Sequence, residues 1–246
     1  NYLVTKDDKY GLFDSNGVEI LEPIWDQIIK TSYDCYLVTK DNNCGLFDLQ
    51  GNKKLSAIYT HINDTEHEKI IEIFKDNKKG FYNLENNVIV EPIYDSIKLL
   101  SNGFIQVEIN QKYGYINKTG FELVQVKYDW ISEIYSNIVK VKLDNKFGYC
   151  LIGGIEILEP EYDGIFSDGA NFYFGKKGSK VTCVNKFGKK IFSFDIFSGV
   201  EKGSENFEKL GHDGLEEIKF KSGLSIINQN GKCKILNNKQ LVGYLY

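Results

Sequence analysis

Arginine and methionine are absent from the 246-residue sequence, and proline and histidine occur only three times each. All 30 basic residues are therefore lysines, against 34 acidic residues, which gives a formal net charge of −4. Recognition of duplex nucleic acid relies on a basic surface and on cationic contacts to phosphates. No stretch of the sequence approaches the roughly 18 apolar residues of a membrane span. The composition thus argues against a nucleic-acid partner and against membrane insertion.

The five cysteines are odd in number, scattered, and form no Cys-x-x-Cys pair. Disulfide frameworks and zinc sites use paired, regularly spaced cysteines. We therefore expect free thiols without any disulfide, and a cytoplasmic location. The sequence opens on Asn1 without an initiator methionine. We expect an N-terminal segment, which could have carried a targeting signal, to have been trimmed.

Short motifs that end in glycine recur about every 34 residues. They are KYGLFDSNG ending at Gly17, CGLFDLQG at Gly51, KYGYINKTG at Gly120, GYCLIGG at Gly154, VTCVNKFG at Gly188 and SIINQNG at Gly231. The interval between Gly51 and Gly120 is twice as long as the others. It contains a degenerate copy of the motif, KGFYNLENN, in which Asn86 or Asn87 takes the place of the glycine. A fixed period of this length is typical of repeat architectures.

All three prolines occupy one position of the period, in EPIWD at 22–26, EPIYD at 91–95 and EPEYD at 159–163. Proline has no N–H for a β-ladder, so this position predicts a sheet edge, a bulge or a strand end. We interpret the chain as one domain over residues 1–246 with about seven repeats and an irregular connection at 195–215. The repeats start near residues 2, 36, 70, 104, 138, 172 and 216.

Each repeat has the pattern of short strands joined by tight turns. Alternating runs such as YLVTK and IVKVKL indicate half-buried strands, and Asp-Asn-Lys between two runs indicates a hairpin turn. Asn/Asp-x-x-Gly is typical of a type I turn. The piece after the proline motif, such as WISEIY, is a candidate fourth strand. No segment shows a sustained period of 3.6 residues, so we predict an all-β fold with almost no helix.

The repeats resemble those of the WG-repeat family of bacterial proteins. KYGLFDSNGVEILEPIWD, KYGYINKTGFELVQVKYD and KFGYCLIGGIEILEPEYD carry the resemblance, which covers residues 1–192 and, more weakly, 216–246. This chain has Tyr, Phe, Cys or Lys where the family usually has tryptophan. The resemblance implies a β-repeat architecture and adds little about activity.

A hairpin repeat of 34 residues cannot bury its apolar face alone, so the repeats must pack on one another. Two arrangements are open. The repeats can close into a β-propeller-like ring of about seven sheets, or stack as an open β-superhelix. We favour the ring.

The recurring EPx[WY]D element combines an aromatic side chain with carboxylates. A set that recurs in every repeat is typical of packing and turn formation, so we expect Asp26, Asp95, Asp129 and Asp163 to accept turn N–H groups. Glycoside hydrolysis needs one carboxylate pair in one cleft, which this pattern does not offer. We therefore assign no catalytic residue to the element.

Other candidate sites are weak. THINDTEHEK contains His61 and His67 with carboxylates, but it has no ligand spacing typical of a metal site, and we interpret it as a loop. Cys150 and Cys183 occupy one position of consecutive repeats, which indicates core packing and not a reactive thiol. With three histidines as possible bases and no nucleophile motif, we predict neither enzymatic activity nor a cofactor or metal.

Two functional hypotheses of different classes remain. The first is a non-enzymatic scaffold that binds a protein partner, since repeat arrays present broad surfaces. The second is a carbohydrate-binding module, suggested by the aromatic content of 14%. The exposure of the aromatic side chains separates the two. For a protein partner, no single residue is assigned, and the contact surface is predicted on the loops KTSYDC, NDTEHE, LLSNG, EIYSN and FSDGA and on the irregular connection.

Overall fold

The computed structural model consists of β-strands and turns. It describes residues 1–65, 69–101, 103–167, 172–195, 199–201, 207–212, 215–220, 224–229, 232–237 and 240–245, and beyond Ser193 essentially only the course of the strands. No helix occurs in these ranges, and hence none that is long and apolar enough to cross a membrane. The prediction of an all-β fold is confirmed.

The strands follow one another at short intervals. Their bounds are β1 (Tyr2–Lys6), β2 (Lys9–Phe13), β3 (Glu19–Trp25), β4 (Gln27–Lys30), β5 (Cys35–Lys40), β6 (Asn43–Asp48), β7 (Lys53–Tyr59), β8 (His61–Asp64), β9 (Ile70–Lys75), β10 (Lys78–Asn83), β11 (Val88–Tyr94), β12 (Ser96–Leu99), β13 (Ile105–Ile109), β14 (Lys112–Ile116), β15 (Glu122–Tyr128), β16 (Trp130–Ile131), β17 (Ile138–Leu143), β18 (Lys146–Leu151), β19 (Glu156–Tyr162), β20 (Gly164–Ser167), β21 (Phe172–Lys177), β22 (Lys180–Asn185), β23 (Lys190–Asp195), β24 (Gly199–Glu201), β25 (Phe207–His212), β26 (Leu215–Phe220), β27 (Leu224–Gln229), β28 (Lys232–Asn237) and β29 (Gln240–Leu245).

The described strands form seven sheets, in which neighbours in the sheet are also neighbours in the chain. Sheet 1 has three strands (β1–β3), and sheets 2 to 5 have four each (β4–β7, β8–β11, β12–β15 and β16–β19). Sheets 6 and 7 have five (β20–β24 and β25–β29). The seven sheets agree with the seven repeats of the sequence. The closed ring stays a prediction.

Sheet boundaries are displaced by one strand from the repeats in the sequence. The candidate fourth strand that ends repeats 1 to 5 is indeed a strand, but it pairs with the first long strand of the following repeat. Thus β16 pairs antiparallel with β17, with Trp130 opposite Lys142. Likewise β4 pairs with β5. Repeats 1 to 5 therefore each supply three strands to one sheet and the first strand of the next, whereas β24 of repeat 6 pairs with β23 in its own sheet.

The chain divides into two compact units. The first comprises residues 1–111 and 115–122, and the second comprises residues 112–114 and 123–246. Sheets 1 to 3 lie in the first unit, sheets 5 to 7 lie in the second, and the residues of sheet 4 are divided between them. The single domain over residues 1–246 stays a prediction.

Two-residue hairpins join the two long strands in sheets 1 to 5. Lys40 and Asn43 face each other across Asp41 and Asn42, whose φ angles are 49° and 64°. Positive φ at both turn residues is characteristic of a type I′ turn, whose twist matches that of the strands. Left-handed pairs also occur at Asp7-Asp8, Asp76-Asn77, Asn110-Gln111 and Asp144-Asn145. The hairpin prediction for these polar pairs is confirmed.

The Asn/Asp-x-x-Gly segments form tight turns as predicted. In the first, Gly17 N donates to the Asp14 carbonyl over 3.2 Å, and the Asp14 carboxylate accepts from Asn16 N over 2.8 Å. The glycine has a φ of 79°. In the degenerate repeat, Asn87 takes the left-handed position with a φ of 57°. Asparagine tolerates this conformation better than other non-glycine residues.

Proline and the glycine of the aromatic-Gly step face each other across a bulge. Pro23 lies in β3, the edge strand of sheet 1, and the β2–β3 register shifts between Tyr10 and Leu12. A Cβ on Gly11 would lie 2.8 Å from Pro23 N. Pro92 and Pro160 occupy the same position in edge strands β11 and β19. The bulge thus requires an edge strand, which tolerates proline, and a glycine opposite the proline in the neighbouring strand.

We expect Gly148→Ala to destabilise the protein by about 2 kcal/mol or more, the range of overpacked sites. The added methyl would lie 2.4 Å from the Leu158 carbonyl oxygen, which belongs to backbone that cannot rotate away. Gly164→Ala is the control, because its Cβ meets nothing within 4 Å. Urea unfolding of both variants measures the difference. Equal stabilities would contradict the role of the bulge.

Candidate binding site

The aspartate that closes the EPx[WY]D element binds a hairpin turn of the next sheet. Asp26 Oδ2 accepts a hydrogen bond of 2.8 Å from Asp41 N, and Asp26 N donates to the Thr39 carbonyl over 2.8 Å. The same carboxylate forms an ion pair with Lys9 of the preceding sheet. The Asp26 carboxylate therefore links Lys9 in β2 of sheet 1 to the turn between β5 and β6 of sheet 2. The prediction that these aspartates accept turn N–H groups is confirmed.

This arrangement recurs with constant spacing. The turn N–H donates to the carboxylate over 2.7 Å from Asn110 to Asp95, from Asp144 to Asp129 and from Gly178 to Asp163. The paired lysines are Lys78, Lys112 and Lys146. Between sheets 2 and 3 the lysine and the aspartate are both replaced. Asn43 stands at the lysine position and Thr60 at the aspartate position. Thr60 then bonds only the strand, through its N–H and hydroxyl to the Phe74 carbonyl.

The aromatic side chain of the element is buried between sheets. Trp25, Tyr59, Tyr94, Tyr128 and Tyr162 are all inaccessible or nearly so. The isoleucine three residues later, on the first strand of the next sheet, packs in the same layer. Ile62, for example, lies in one apolar cluster with Tyr59. The corresponding residues are Ile28, Ile97, Ile131 and Ile165. Sequence reasoning missed this isoleucine, although its fixed distance from the aromatic was a readable signal.

We expect Asp129→Asn to lower the free energy of unfolding at neutral pH and to have little effect in acid. The hydrogen bond from Lys112 holds the Asp129 pKa below its ordinary value, and the N–H of Asp144 lowers it further. A carboxyl with a depressed pKa stabilises the folded state above the unfolded pKa and loses this contribution as the pH falls through the folded pKa. The gap between the two proteins should therefore close below about pH 4. Thermal unfolding from pH 3 to pH 8 measures it, and a gap that is constant across this range would contradict the ion pair.

The two ends of each sheet differ in chemistry. One end, the hairpin end, consists of the two-residue turns between the long strands, with polar residues at nearly every turn position and the aspartate–lysine pairs beside them. These turns are nearly uniform from sheet to sheet. In sheets 2, 4, 5 and 6, one backbone N–H of the turn is used within the fold, since it donates to the carboxylate that ends the preceding sheet. The hairpin end therefore offers little that differs between repeats.

The opposite end, which we call the variable end, carries the differences. It comprises the described parts of connections 31–34, 65–69, 100–104 and 132–137 and the turns 14–17, 48–51, 83–87, 117–120, 151–154 and 185–188. Connection and turn lie side by side, because Ile152 N donates to the Asn137 carbonyl over 2.8 Å. Large apolar side chains are exposed in or directly after these turns and connections, at Val18, Phe121, Tyr135, Ile155 and Phe187.

Neighbouring connections contact each other in the first unit. Asp64 Oδ2 accepts hydrogen bonds from Ser32 N over 3.0 Å and from Ser32 Oγ over 2.6 Å. His61 is exposed on β8, 5.5 Å from the Phe74 ring. His67, Glu66 and Glu68 lie outside the described residues, as does Asn102. Within the described part of the chain, no three His, Cys, Asp or Glu side chains converge on a possible metal position.

A small cavity opens at the variable end of the second unit. Its volume is about 90 Å³, and it is lined by Ser132, Glu133, Tyr135, Ser136, Ile138, Lys140, Tyr149, Ser167 and Tyr173. The Tyr149 hydroxyl is buried and has no hydrogen-bond partner among the described residues. Burial raises the pKa of Tyr149 to about 12, an effect that the nearby Ser167 side chain opposes. The cavity thus combines aromatic walls with hydroxyl and charged groups at its rim.

We expect Tyr149→Phe to leave stability unchanged or raise it by up to about 1 kcal/mol, because it removes a buried hydroxyl that has no partner. Tyr128→Phe is the matched variant. Its hydroxyl donates to Glu156 Oε1 over 2.6 Å, so this change should cost about 1–3 kcal/mol. Chemical denaturation at pH 7 compares them. A loss of stability in both variants to the same extent would mean that Tyr149 is bonded in solution.

The described cysteines are packing residues. Cys35, Cys44, Cys150 and Cys183 are free thiols, and Cys150 and Cys183 are inaccessible. Burial raises the pKa of Cys150 to about 11, which keeps its thiol protonated. Both are core residues as predicted, but their predicted equivalence is wrong, because the strand register places Cys183 at the position of Tyr149 and Val184 at that of Cys150. The side chain of Cys233 lies outside the described residues.

Comparison with known families agrees with these repeats. A model of the WG containing repeat matches residues 10–44, 80–113 and 113–147. The chain carries WG repeats. The matched segments make up less than half of the sequence, and the divergent repeats around Asn43–Thr60 and after residue 147 lie between or beyond them. The WG repeat is a non-catalytic repeat type, and repeat and fold together indicate a binding or scaffold role.

No curated protein matches the sequence significantly. Among solved structures, BamB from Moraxella catarrhalis is 9% identical over 99% of this chain and 84% of its own, with a TM-score of 0.29. Hsv2 from Kluyveromyces lactis is 9% identical over 79% and 69%, and the computationally designed Ika8 protein is 12% identical over 99% and 83%, both with a TM-score of 0.28. Scores this low carry no argument about arrangement or function.

Proposed function

We propose that this WG-repeat protein is a non-enzymatic scaffold that binds a protein partner through its variable end. The observation that carries the proposal is the difference between the two ends of each sheet. The residues that recur in every repeat are used by turns, bulges and the layers between sheets. The residues that differ between repeats lie at the variable end, together with exposed apolar side chains. Surface loops on a rigid scaffold are the usual place of recognition.

Exposed aromatic side chains at the variable end support a protein partner. Phe121 is 65% exposed, Tyr135 75% and Phe187 74%. Aromatic residues of this kind are enriched among the residues that dominate binding energies at protein interfaces. Polar groups also occur at the variable end, such as Ser32 and Asp64, and groups of this kind suit the hydrated rim of an interface.

The carbohydrate alternative keeps only the exposed aromatic side chains of the variable end as its support. It depended on aromatic side chains that a sugar could stack on, and the recurrent ones, such as Tyr59 and Tyr128, are buried between sheets. The predicted contact surface on the loops is retained for the described parts of these loops. Asp168 and most of the residues of the irregular connection 195–215 lie outside the described residues or have no described side chain.

The proposal is tested with the intact protein and two double variants. Tyr135→Ser/Phe187→Ser removes two exposed aromatic side chains from the variable end of the second unit. Ile58→Ser/Ile93→Ser removes two from edge strands near the hairpin end, where they are about half exposed. Proteins captured from a lysate of the source organism are quantified after cross-linking. We expect the first variant to reduce capture of a specific partner at least tenfold, since interface anchors contribute more than about 1.4 kcal/mol.

The control variant should capture the partner as the parent protein does. Loss in the control with retention in the first variant would place the contact surface elsewhere. Specific retention on a glycan array that is lost in the first variant would replace the protein partner by a carbohydrate. Turnover of any substrate by the purified protein would contradict the scaffold role.

A further inference from the structure

The cavity at the variable end of the second unit lies between sheets 5 and 6. Ile138 and Tyr149 line it from sheet 5, and Ser167 and Tyr173 line it from sheet 6. The two tyrosines are almost fully buried in one apolar cluster, with ring centroids 5.1 Å apart in an edge-to-face contact. Most of the other lining residues belong to the connection 132–137. The cavity is therefore an opening in the apolar layer between two sheets, bordered by one connection.

The layer between sheets 2 and 3 provides a comparison within the same protein. The apolar residues that line the cavity have counterparts there by strand register, which are, for Ile138, Tyr149 and Tyr173 in turn, Cys35, Leu46 and Ile71. All three counterparts are buried in one apolar cluster, and Tyr33 packs against this cluster. The two layers are thus built alike, and the first shows what can occupy the space that is open in the second.

Tyr33 has Ser136 as its counterpart. The connections 29–34 and 132–137 each have six residues between the isoleucine of the layer and the next cavity-side position, and Tyr33 and Ser136 are each the fifth of them. Tyr33 is half-buried, whereas Ser136 is exposed and lines the cavity. A serine in place of a tyrosine leaves the space of an aromatic ring unfilled.

The backbone of the connection keeps its own tyrosine out of this space. Tyr135 and Ile138 exchange two hydrogen bonds of 2.9 Å across Ser136 and Asn137, whose φ angles are 49° and 64°. In sheet 2 the connection is wider, because Thr31 N donates to the Cys35 carbonyl over 2.8 Å. The tight turn holds Tyr135 beside the cavity, where it is 75% exposed. Tyr135 therefore borders the cavity and does not fill it.

The size and the walls of the cavity suit a single aromatic ring. Its volume is about 90 Å³. A site for one water needs only about 15 Å³, an enclosed cavity of about 150 Å³ binds benzene, and pockets for larger ligands usually exceed about 300 Å³. The rings of Tyr149 and Tyr173 offer the edge-to-face and offset contacts that aromatic rings prefer. Because the cavity is open, a ring can enter it while its attachment stays in solvent, as the ring of a side chain does.

We propose that this cavity receives an aromatic side chain, tyrosine or phenylalanine, of the protein partner. The ring takes the place between sheets 5 and 6 that Tyr33 takes between sheets 2 and 3, and polar groups of Ser132, Glu133 and Lys140 line the cavity around it. Aromatic side chains seated in pockets are typical anchors of protein interfaces. The assignment rests on the proposed function, since it names the group of the partner that the variable end binds.

The direct test uses the full-length protein with blocked amino acids as probes. N-acetyl-tyrosinamide and N-acetyl-phenylalaninamide should shift the backbone NMR signals of Ser136, Ile138 and Tyr173 in a saturable way. N-acetyl-leucinamide should bind about threefold more weakly or worse, because it cannot form contacts between aromatic rings. Equal binding of the leucine probe would overturn the aromatic assignment. Saturable shifts confined to residues away from the cavity, or no saturable shift with any probe, would overturn the proposal.

A variant in which the chain fills its own cavity provides the matched comparison. Replacement of residues 132–137, SEIYSN, by the sequence of residues 29–34, IKTSYD, puts a tyrosine at the fifth place of a connection of the same length. We expect this variant to bind N-acetyl-tyrosinamide about tenfold more weakly or worse, because the site is occupied. The same exchange with Tyr33→Ser in the inserted segment is the control, and it should bind the probe as the parent protein does. Binding by both variants to the same extent as by the parent would overturn the proposal.

Partner capture separates this assignment from the proposed function. Saturating N-acetyl-tyrosinamide should reduce capture of the partner by the parent protein about threefold or more, and N-acetyl-leucinamide at the same concentration should not. Suppose that capture is lost in Tyr135→Ser/Phe187→Ser but is unchanged by the tyrosine probe. The scaffold function at the variable end would then stand, and the cavity as the anchor site would be overturned.

Discussion

A sheet of three or four short strands has two apolar faces and can bury neither of them alone. This constraint determines most of what the repeats of this protein conserve among themselves. The aromatic residue at the end of one sheet and the isoleucine three residues later enter the same layer between sheets, as Tyr59 and Ile62 do. Because the two residues flank the passage from one sheet to the next, the layer forms wherever the chain crosses. The segment that connects two consecutive sheets is thus also the segment that packs between them.

The aspartate between these two residues fixes the register of the crossing. Asp26, for example, bonds a turn and a strand of the following sheet and a lysine of the preceding one. Between sheets 2 and 3, Asn43 and Thr60 replace the lysine and the aspartate. The contact between these sheets therefore forms without the ion pair, as long as the apolar layer is intact. The layer between sheets 2 and 3 is also the one that contains Leu46, Ile71 and Tyr82. Apolar burial carries the contact, and the ion pair sets its alignment.

Because of the same constraint, one end of each sheet has a structural role and the other end is available for recognition. One end of each sheet is occupied by uniform hairpins and their carboxylate partners. The other end has longer connections whose side chains are released from packing, and there the exposed Phe121, Tyr135 and Phe187 are found. A variable loop surface of this kind is suited to binding another polypeptide.

Much of the local structure could be predicted from the sequence. Polar pairs such as Asp41-Asn42 specify left-handed hairpins, Asn/Asp-x-x-Gly specifies tight turns, and proline restricts its strand to an edge. These features depend on φ angles and on hydrogen bonds within a few residues. The isoleucine after the aromatic was missed, because apolar residues are common in strands and only the contact across two sheets distinguishes Ile62 from exposed Ile58.

By itself the sequence determined the repeat, the strands and the turns, since each of these depends on residues close together in the chain. Only the tertiary structure decided where the sheets begin and end. The piece after Asp26 is a strand in either assignment, but its hydrogen bonds with β5 place it in the next sheet. The burial of individual residues was also decided only by the tertiary structure. Residues 2–6 and 36–40 are the same five amino acids, and they differ in exposure because a neighbouring segment covers one and not the other. No local sequence signal can encode that difference.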